Sequence, residues 1–271
     1  MLADITFGQY FPAKSYIHRM DPRLKIVLTI FFIVLTFCSK NFVCIALVYV
    51  AVIASMIASK VPAKTYIRSL KPILFIVAFT VIINLFYGTG EPLIQIWTLK
   101  ITLNGILNSF LIAIRIVALI FVSSVLTFTT SPTQLTDAIE RLLKPLAKMK
   151  VPVHEFAMMM TIALRFVPTL LEETDKIMSA QKARGADMES GGVMQRIKAL
   201  VPVLIPLFVS AFRRAFDLAT AMESRCYTGG EGRTKMKILK ISKEDIFTIV
   251  GCVIFLAVFV VANITLPKIV R

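Results

Sequence analysis

The fold is decided by residues 152–185, which read PVHEFAMMMTIALRFVPTLLEETDKIMSAQKARG. Apolar residues recur at spacings of three and four through the first half, and this pattern is typical of a helix with one broad apolar face. The second half is charged, and Gly185 suits the position that follows a helix C-terminus. The stretch predicts a long helix from Pro152 to about Arg184, inside a charged, mostly helical segment at 131–243.

A second long helix is predicted to begin at Val193 and to continue to Arg225. Its apolar middle, 199–212, has 14 residues and is followed at once by Arg213 and Arg214. A membrane span needs about 20 apolar residues, so this middle makes a poor span. We expect the helix to pack against the membrane face and against the first long helix. Both helices run from apolar to polar and end at an arginine motif, which is a weak internal duplication.

Apolar runs almost free of charge surround this segment. The chain has 271 residues, of which 57% are hydrophobic and only 17% charged, whereas about a quarter are charged in soluble domains. This composition predicts an all-α polytopic membrane protein with about five transmembrane helices, at 26–39, 41–59, 72–87, 105–130 and 246–266. The first run is short, but flanking lysines can reach outward and lengthen it. The predicted parts are an N-terminal membrane part at 1–130, a cytoplasmic segment at 131–243 and a C-terminal transmembrane helix at 244–271.

The net charge of +15 is explained by the membrane rather than by nucleic acid. Basic residues flank the apolar runs or lie in the central segment, and no aromatic-rich basic face of the kind that binds single strands is present. With the N-terminus in the cytoplasm, the opposite side collects only Lys40, Lys100, Lys268 and Arg271. Because cytoplasmic loops are enriched in Lys and Arg, we expect the N-terminus and 131–243 in the cytoplasm and the C-terminus outside. The first 21 residues lack a signal-peptide layout.

Patterns that carry catalysis or metal binding are weak in this chain. The glycine-rich 229–232 follows a helix rather than a strand, so it is a linker and not a phosphate loop. The isolated His18, and His154 without a second histidine on its helix, are expected to be surface or interfacial residues, and the four cysteines form no metal or disulfide pattern. The acidic pairs Asp137/Glu140 and Glu172/Glu173 lie among basic residues and are interpreted as solvated. We expect no catalytic residue, metal site or cofactor in this chain.

Arg115 is the one charged residue well inside a predicted span. An intramembrane charge is a functional hypothesis by default. We favour a structural role, either a hydrogen bond to a neighbouring helix or a place near the interface, because no other span carries an acidic partner. The same absence disfavours a proton- or ion-coupled transporter.

Arg184 and Arg225 each end a long helix between small neighbours, in Ala183-Arg184-Gly185 and Ser224-Arg225-Cys226. Arginine presents a planar fork of donors that suits carboxylates. One such end is explained by favourable charge at a helix C-terminus, but two in parallel contexts favour docking of a soluble partner. Met158, Met159 and Met160 form either an adaptable partner surface or a helix-packing surface.

Four motifs together resemble one family of membrane proteins. They are Asp21-Pro22-Arg23-Leu24-Lys25, Ala163-Leu164-Arg165-Phe166-Val167-Pro168, Gln181-Lys182-Ala183-Arg184-Gly185-Ala186-Asp187, and Ala221-Met222-Glu223-Ser224-Arg225-Cys226-Tyr227 with the following Gly229-Gly230-Glu231-Gly232-Arg233-Thr234. Through them the chain is similar, over nearly its whole length, to the transmembrane T component of energy-coupling factor (ECF) transporters.

The resemblance implies a membrane scaffold that joins two ABC-type ATPases to a separate small membrane subunit, which binds a vitamin or metal ion. It implies two long crossed coupling helices in the cytoplasm of a prokaryote, with one ATPase docked at Arg184 and the other at Arg225. ATP and Mg²⁺ would be bound by those ATPases. The family's second motif is usually Ala-Arg-Gly, so Ser224 and Cys226 depart from it. The expected contacts with the substrate-binding subunit are Met158, Met159, Met160, Val203, Leu204, Leu207 and Phe208.

Two other functions stay open at this point. One is a stand-alone secondary transporter or channel, and the other is a membrane-anchored adaptor unrelated to transport. Neither the substrate nor the ATPase bound by each arginine follows from the sequence.

Overall fold

A computed structural model describes residues 10–39, 41–86, 92–96, 99–186, 192–230 and 242–265. These residues form ten α-helices: α1 Tyr16–Arg19, α2 Pro22–Cys38, α3 Phe42–Ser59, α4 Ala63–Leu70, α5 Leu74–Phe86, α6 Leu103–Thr129, α7 Pro132–Leu143, α8 Val153–Ala183, α9 Val193–Glu223 and α10 Lys243–Thr265. A short 3₁₀ helix, Lys144–Met149, follows α7. Predictions that concern Lys40, Tyr87, Trp97, Asp187, Glu231 to Thr234, Leu266, Lys268 and Arg271 lie outside the described residues.

The described chain divides into two compact units. One contains residues 139–186 and 192–230, and the other contains residues 10–138 and 242–265 with their gaps. The division falls inside α7, after Ala138, whereas the sequence places a boundary before Ser131. The unit with α8 and α9 is called the coupling unit below, and the other is called the membrane unit.

Several helices are long and apolar enough to cross a membrane. Among the described residues they are α3, α6, α9 and α10, and the pair α4 and α5, bent by 54°, passes the same test as one broken span. The fold is therefore that of an all-α polytopic membrane protein, as predicted. Two details differ from the prediction. The 17 residues of α2 extend only about 26 Å, below the ~30 Å of hydrocarbon. The predicted long helix α9 is confirmed, but it is long and apolar enough to cross a membrane, whereas its apolar middle was expected to make a poor span.

The membrane unit is held together by apolar packing among four helices. Leu35 of α2, Val48 of α3, Val122 of α6 and Phe259 of α10 belong to one buried cluster. A second cluster forms where Tyr66 of α4 meets α6. Burying side chains of this size gives about 1.5–3 kcal/mol each relative to exposure to water, while toward lipid the gain comes from close packing.

A polar cluster ties the start of α2 to the start of α10. Asp21 caps α2, accepting from the Arg23 N–H at 2.9 Å and pairing with the Arg23 guanidinium at 2.6 Å. The backbone N–H of Asp21 donates to Oδ1 of Asp245 at 3.0 Å, and Oδ2 of Asp245 accepts from the N–H and Oγ of Ser242. Buried Lys25 donates to the last carbonyl of α6, on Thr129, at 2.9 Å. Three helices that are distant in sequence are thus joined at one polar layer.

Arg115 of α6 donates from Nη2 to the carbonyl of Ser39, the C-cap of α2, at 2.9 Å. The last carbonyls of a helix have no partner within the helix, and a cation is favourable at this end. The expected hydrogen bond to a neighbouring helix is confirmed.

Between α5 and α6 the described residues form a β-hairpin. Strand β1, Pro92–Ile96, pairs antiparallel with β2, Leu99–Thr102. Thr102 then caps α6, because its side chain accepts from the N–H of Gly105 at 3.1 Å.

Candidate functional site

The first arginine motif ends α8 in a hydrogen-bonded helix cap. The N–H of Gly185 donates to the carbonyl of Lys182 at 3.0 Å, and the N–H of Ala186 donates to the carbonyl of Gln181 at 3.0 Å. Gly185 has a φ of +86°, the left-handed conformation that glycine adopts without strain. This pair of bonds is the Schellman arrangement, in which Arg184 is the capping residue.

The second motif ends α9 with the same two bonds. The N–H of Cys226 donates to the carbonyl of Glu223 at 2.8 Å, and the N–H of Tyr227 donates to the carbonyl of Met222 at 3.0 Å. Cys226 takes the left-handed position with a φ of +55°. Arg225 is therefore the capping residue of α9, as Arg184 is the capping residue of α8.

Cys226 stands where the family usually has glycine. This difference raises the conformational free energy of the cap but leaves its two backbone hydrogen bonds in place. A residue with a Cβ pays about 1 kcal/mol or more in the left-handed region, whereas glycine pays little. Sequence reasoning could not see that the two ends match, because cysteine gives no signal for a left-handed cap.

All six residues of the two motifs are exposed: Ala183, Arg184, Gly185, Ser224, Arg225 and Cys226. Among the described residues, no hydrogen bond or ion pair reaches the guanidinium of Arg184 or Arg225. Each therefore offers its full fork of donors to a carboxylate or carbonyl of another molecule.

The two motifs lie at opposite ends of a helix pair. Helices α8 and α9 run antiparallel, because Gln181 donates to the carbonyl of Pro202 at 3.4 Å while Glu173, earlier in α8, contacts Ser210, later in α9. The chain that leaves α9 passes over the start of α8, where a Cβ on Gly230 would clash with the ring of His154. The structure therefore places the arginines apart, as two separate sites rather than one.

The residues expected to contact a substrate-binding subunit are not equally accessible. Met159, Met160, Leu204 and Phe208 are exposed, and Met158 and Leu207 are half-buried. Val203 is only 2% exposed. The surface that can meet a partner in this conformation therefore excludes Val203.

Two expectations about polar side chains need correction. His154 and Glu140 were expected to be surface and solvated residues, but His154 Nδ1 lies 3.1 Å from Glu140 Oε1, and Glu140 is only 16% exposed. Glu173 is likewise not simply solvated, because it accepts from Ser210 and pairs with Arg214 at 2.8 Å. Both contacts join helices or segments within the coupling unit. The described residues contain no group of three or more His, Cys, Asp or Glu that could hold a metal ion.

Comparison with known proteins identifies the family. The model of the cobalt transport protein family, CbiQ, matches residues 13–236, which include both arginine motifs. The energy-coupling factor transporter transmembrane protein EcfT of Ruminiclostridium cellulolyticum is 51% identical over 94% of this chain and 96% of its own length. The chain belongs to the EcfT family.

Other EcfT proteins show the same extent of similarity. Those of Thermosediminibacter oceani and Bacillus subtilis are 52% and 45% identical, over 90% and 95% of this chain and 92% and 97% of their own lengths. The resemblance stated from the sequence is confirmed. As an EcfT family member, the chain is a multi-pass transmembrane component of an ECF transporter and not a catalytic enzyme.

Proposed function

We propose that this EcfT family protein is the scaffold of an ECF importer, in which two cytoplasmic ABC-type ATPases dock on Arg184 and Arg225. A separate membrane subunit would bind the substrate, a vitamin or a metal ion. ATP and Mg²⁺ would be held by the ATPases, and this chain would carry no cofactor of its own.

One observation carries the proposal: two helices of one unit end in the same cap, at opposite ends, with an exposed arginine in each. A favourable charge at a helix end explains either arginine alone. It does not explain why Cys226 accepts a strained backbone to reproduce the cap of Gly185. A partner that exists in two similar copies would require the same presentation twice.

The mechanism follows from the rigidity of the two helices. ATP binding and hydrolysis would move the ATPases together and apart, and the capped ends would carry that motion into α8 and α9. Their exposed apolar residues, such as Met159 and Phe208, would then press on the substrate-binding subunit and reorient it. Substrate choice would belong to that subunit, so the word cobalt in the family's description does not fix the cargo here.

Charge supports a cytoplasmic position for the coupling unit, although α9 is long and apolar enough to cross a membrane. The partner of α9 is the charged second half of α8, which carries Glu172, Asp175 and Lys176 on exposed or half-buried positions. Placing these charges in hydrocarbon would cost at least about 2.5 kcal/mol each. We therefore propose that α8 and α9 lie at the cytoplasmic face of a prokaryotic plasma membrane, with the N-terminus inside and the C-terminus outside.

The test is co-purification with ABC-type ATPases. Tagged protein would be co-expressed with a candidate ATPase pair as wild type, Arg184→Glu, Arg225→Glu and the double variant. We expect wild type to retain both ATPases, each single variant to lose one, and the double variant to lose both, because reversed charge repels the acceptors that an arginine binds.

Arg213→Glu is the matched control, since Arg213 is exposed on α9 but lies away from the cap. It should retain both ATPases. The scaffold proposal fails if wild type binds no ATPase, or if the double variant binds as wild type does. In that case the membrane-anchored adaptor becomes the better hypothesis, and uptake by the purified protein alone would instead favour a stand-alone transporter.

A further inference from the structure

One polar contact between α8 and α9 lies equally far from the two arginine motifs. Nη2 of Arg214 in α9 donates to Oε2 of Glu173 in α8 at 2.8 Å. The hydroxyl of Ser210, one turn earlier in α9, donates to Oε1 of the same carboxylate. Both oxygens of Glu173 are therefore engaged by the facing helix.

The spacing along the two helices is the same. Glu173 precedes Arg184 by 11 residues, and Arg214 precedes Arg225 by 11 residues. Eleven residues make about three turns and about 16 Å. Arg184 therefore lies on nearly the same face of α8 as Glu173, and Arg225 lies on nearly the same face of α9 as Arg214. When the two sequences are aligned at their caps, residues 172–185 correspond to residues 213–226, and Glu173 corresponds to Arg214.

Equivalent residues of two helices meet only where an approximate two-fold axis relates the helices. The antiparallel packing supplies such an axis, and the contact between Glu173 and Arg214 lies on it. Two like charges at these positions would repel each other, whereas the opposite charges attract. At this aligned position α8 carries an acid and α9 a base, and here the two side chains contact each other.

We propose that Glu173 and Arg214 are positioning residues that hold the midpoint of a two-armed lever and so fix how far apart its two capped ends lie. The proposal rests on the function proposed above. With the midpoint fixed, each ATPase acts on an arm of about 16 Å, and both caps present their arginine in the same way. A slip of one turn of α9 along α8 would change the distance between the two caps by about 5 Å.

The ion pair between Glu173 and Arg214 fixes the register of α8 on α9 and adds little to the free energy of folding. The side chains of Glu173 and Arg214 are 23% and 38% exposed, and ion pairs with this access to solvent add little to folding. The expected defect after its loss is therefore poor transmission in an assembled complex, not unfolding.

The experiment uses the whole complex in proteoliposomes and measures substrate taken up per ATP hydrolysed. Glu173→Arg and Arg214→Glu each place like charges at the midpoint, and the double swap restores an opposite pair. We expect each single variant to lower uptake per ATP by about fivefold, a change typical of coupled side chains, and the double swap to recover most of it. Arg213→Glu, an exposed neighbour, is the matched control and should keep the wild-type ratio.

Co-purification of both ATPases separates this proposal from the previous one. The complexes of all variants should keep both ATPases, since Arg184 and Arg225 are unchanged. A wild-type ratio in both single variants would overturn the positioning role while leaving the scaffold intact. Failure of the double swap to recover, with both ATPases still bound, would overturn it as well. Loss of the ATPases on pair reversal would contradict it too, because the pair would then act on docking rather than on transmission.

Discussion

At the scale of single residues, the cap of α9 shows what a left-handed residue costs. Cys226 and Gly185 hold the same place in their caps, but only cysteine carries a Cβ, at a φ of +55°. Space around the glycine is open, since a Cβ on Gly185 would meet nothing within 4 Å. The difference between the two caps is therefore a matter of backbone strain.

Cys226→Gly should make the α9 cap more stable, by about 1 kcal/mol, because it removes that strain. Amide hydrogen exchange at the helix end would slow by about fivefold, as expected for a local opening that costs this much more. Gly185→Ala is the converse variant and should speed exchange at the end of α8. Equal exchange before and after Cys226→Gly would show that the α9 end is held by something other than its cap.

At the scale of helices, the membrane unit depends on a buried carboxylate. Asp245 is 1% exposed and accepts three hydrogen bonds, one from Asp21 and two from Ser242. It therefore holds the start of α10 against the start of α2. A buried donor that loses its acceptor costs about 1–3 kcal/mol.

Asp245→Ala should lower the free energy of unfolding by about 3 kcal/mol, because it leaves these donors without their acceptor. The fraction that stays monodisperse on size-exclusion chromatography after heating would fall at a lower temperature. Glu244→Ala is the matched control, since the Glu244 side chain makes no such contact and its backbone carbonyl accepts from Tyr16 in any case. Identical heating curves for the two variants would contradict the role of Asp245.

Local features of the helices were readable from the sequence, and contacts between distant helices were not. The end of α8 at Gly185 and the hydrogen bond of Arg115 to another helix agree with expectation. Each depends on residues close in the chain or on the cost of a charge in lipid. The bond from Asp21 to Asp245 joins residues 224 positions apart, and no periodicity in the sequence encodes it.

At the scale of the whole molecule, one apolar helix has two roles that composition cannot separate. Along α9, Val203 is buried while Phe208 is 62% exposed. Both residues belong to the same apolar run, so sequence reasoning assigned both to a partner surface. The folded structure, and not the composition of the run, decides which of them is left for another protein.

Under the proposed function, Phe208→Glu should release the substrate-binding subunit and keep the ATPases, because a charge would replace an exposed aromatic side chain that the subunit is proposed to cover. The measurement is the ratio of the substrate-binding subunit to ATPase in complexes purified through this chain. Phe208→Leu keeps an apolar surface and should hold the wild-type ratio. An unchanged ratio with glutamate would remove Phe208 from the proposed contact surface.

The two matching caps also have a consequence for how such a chain can evolve. Their shape is fixed by bonds between main-chain atoms, so selection on shape tolerates substitutions on either side of the arginine, as Ser224 and Cys226 illustrate. Each end can therefore accept its own neighbours while the guanidinium keeps its place in the cap. Under the proposed function, a single polypeptide could in this way acquire a separate preference for each of two related ATPases. Every intermediate along that path could still bind them.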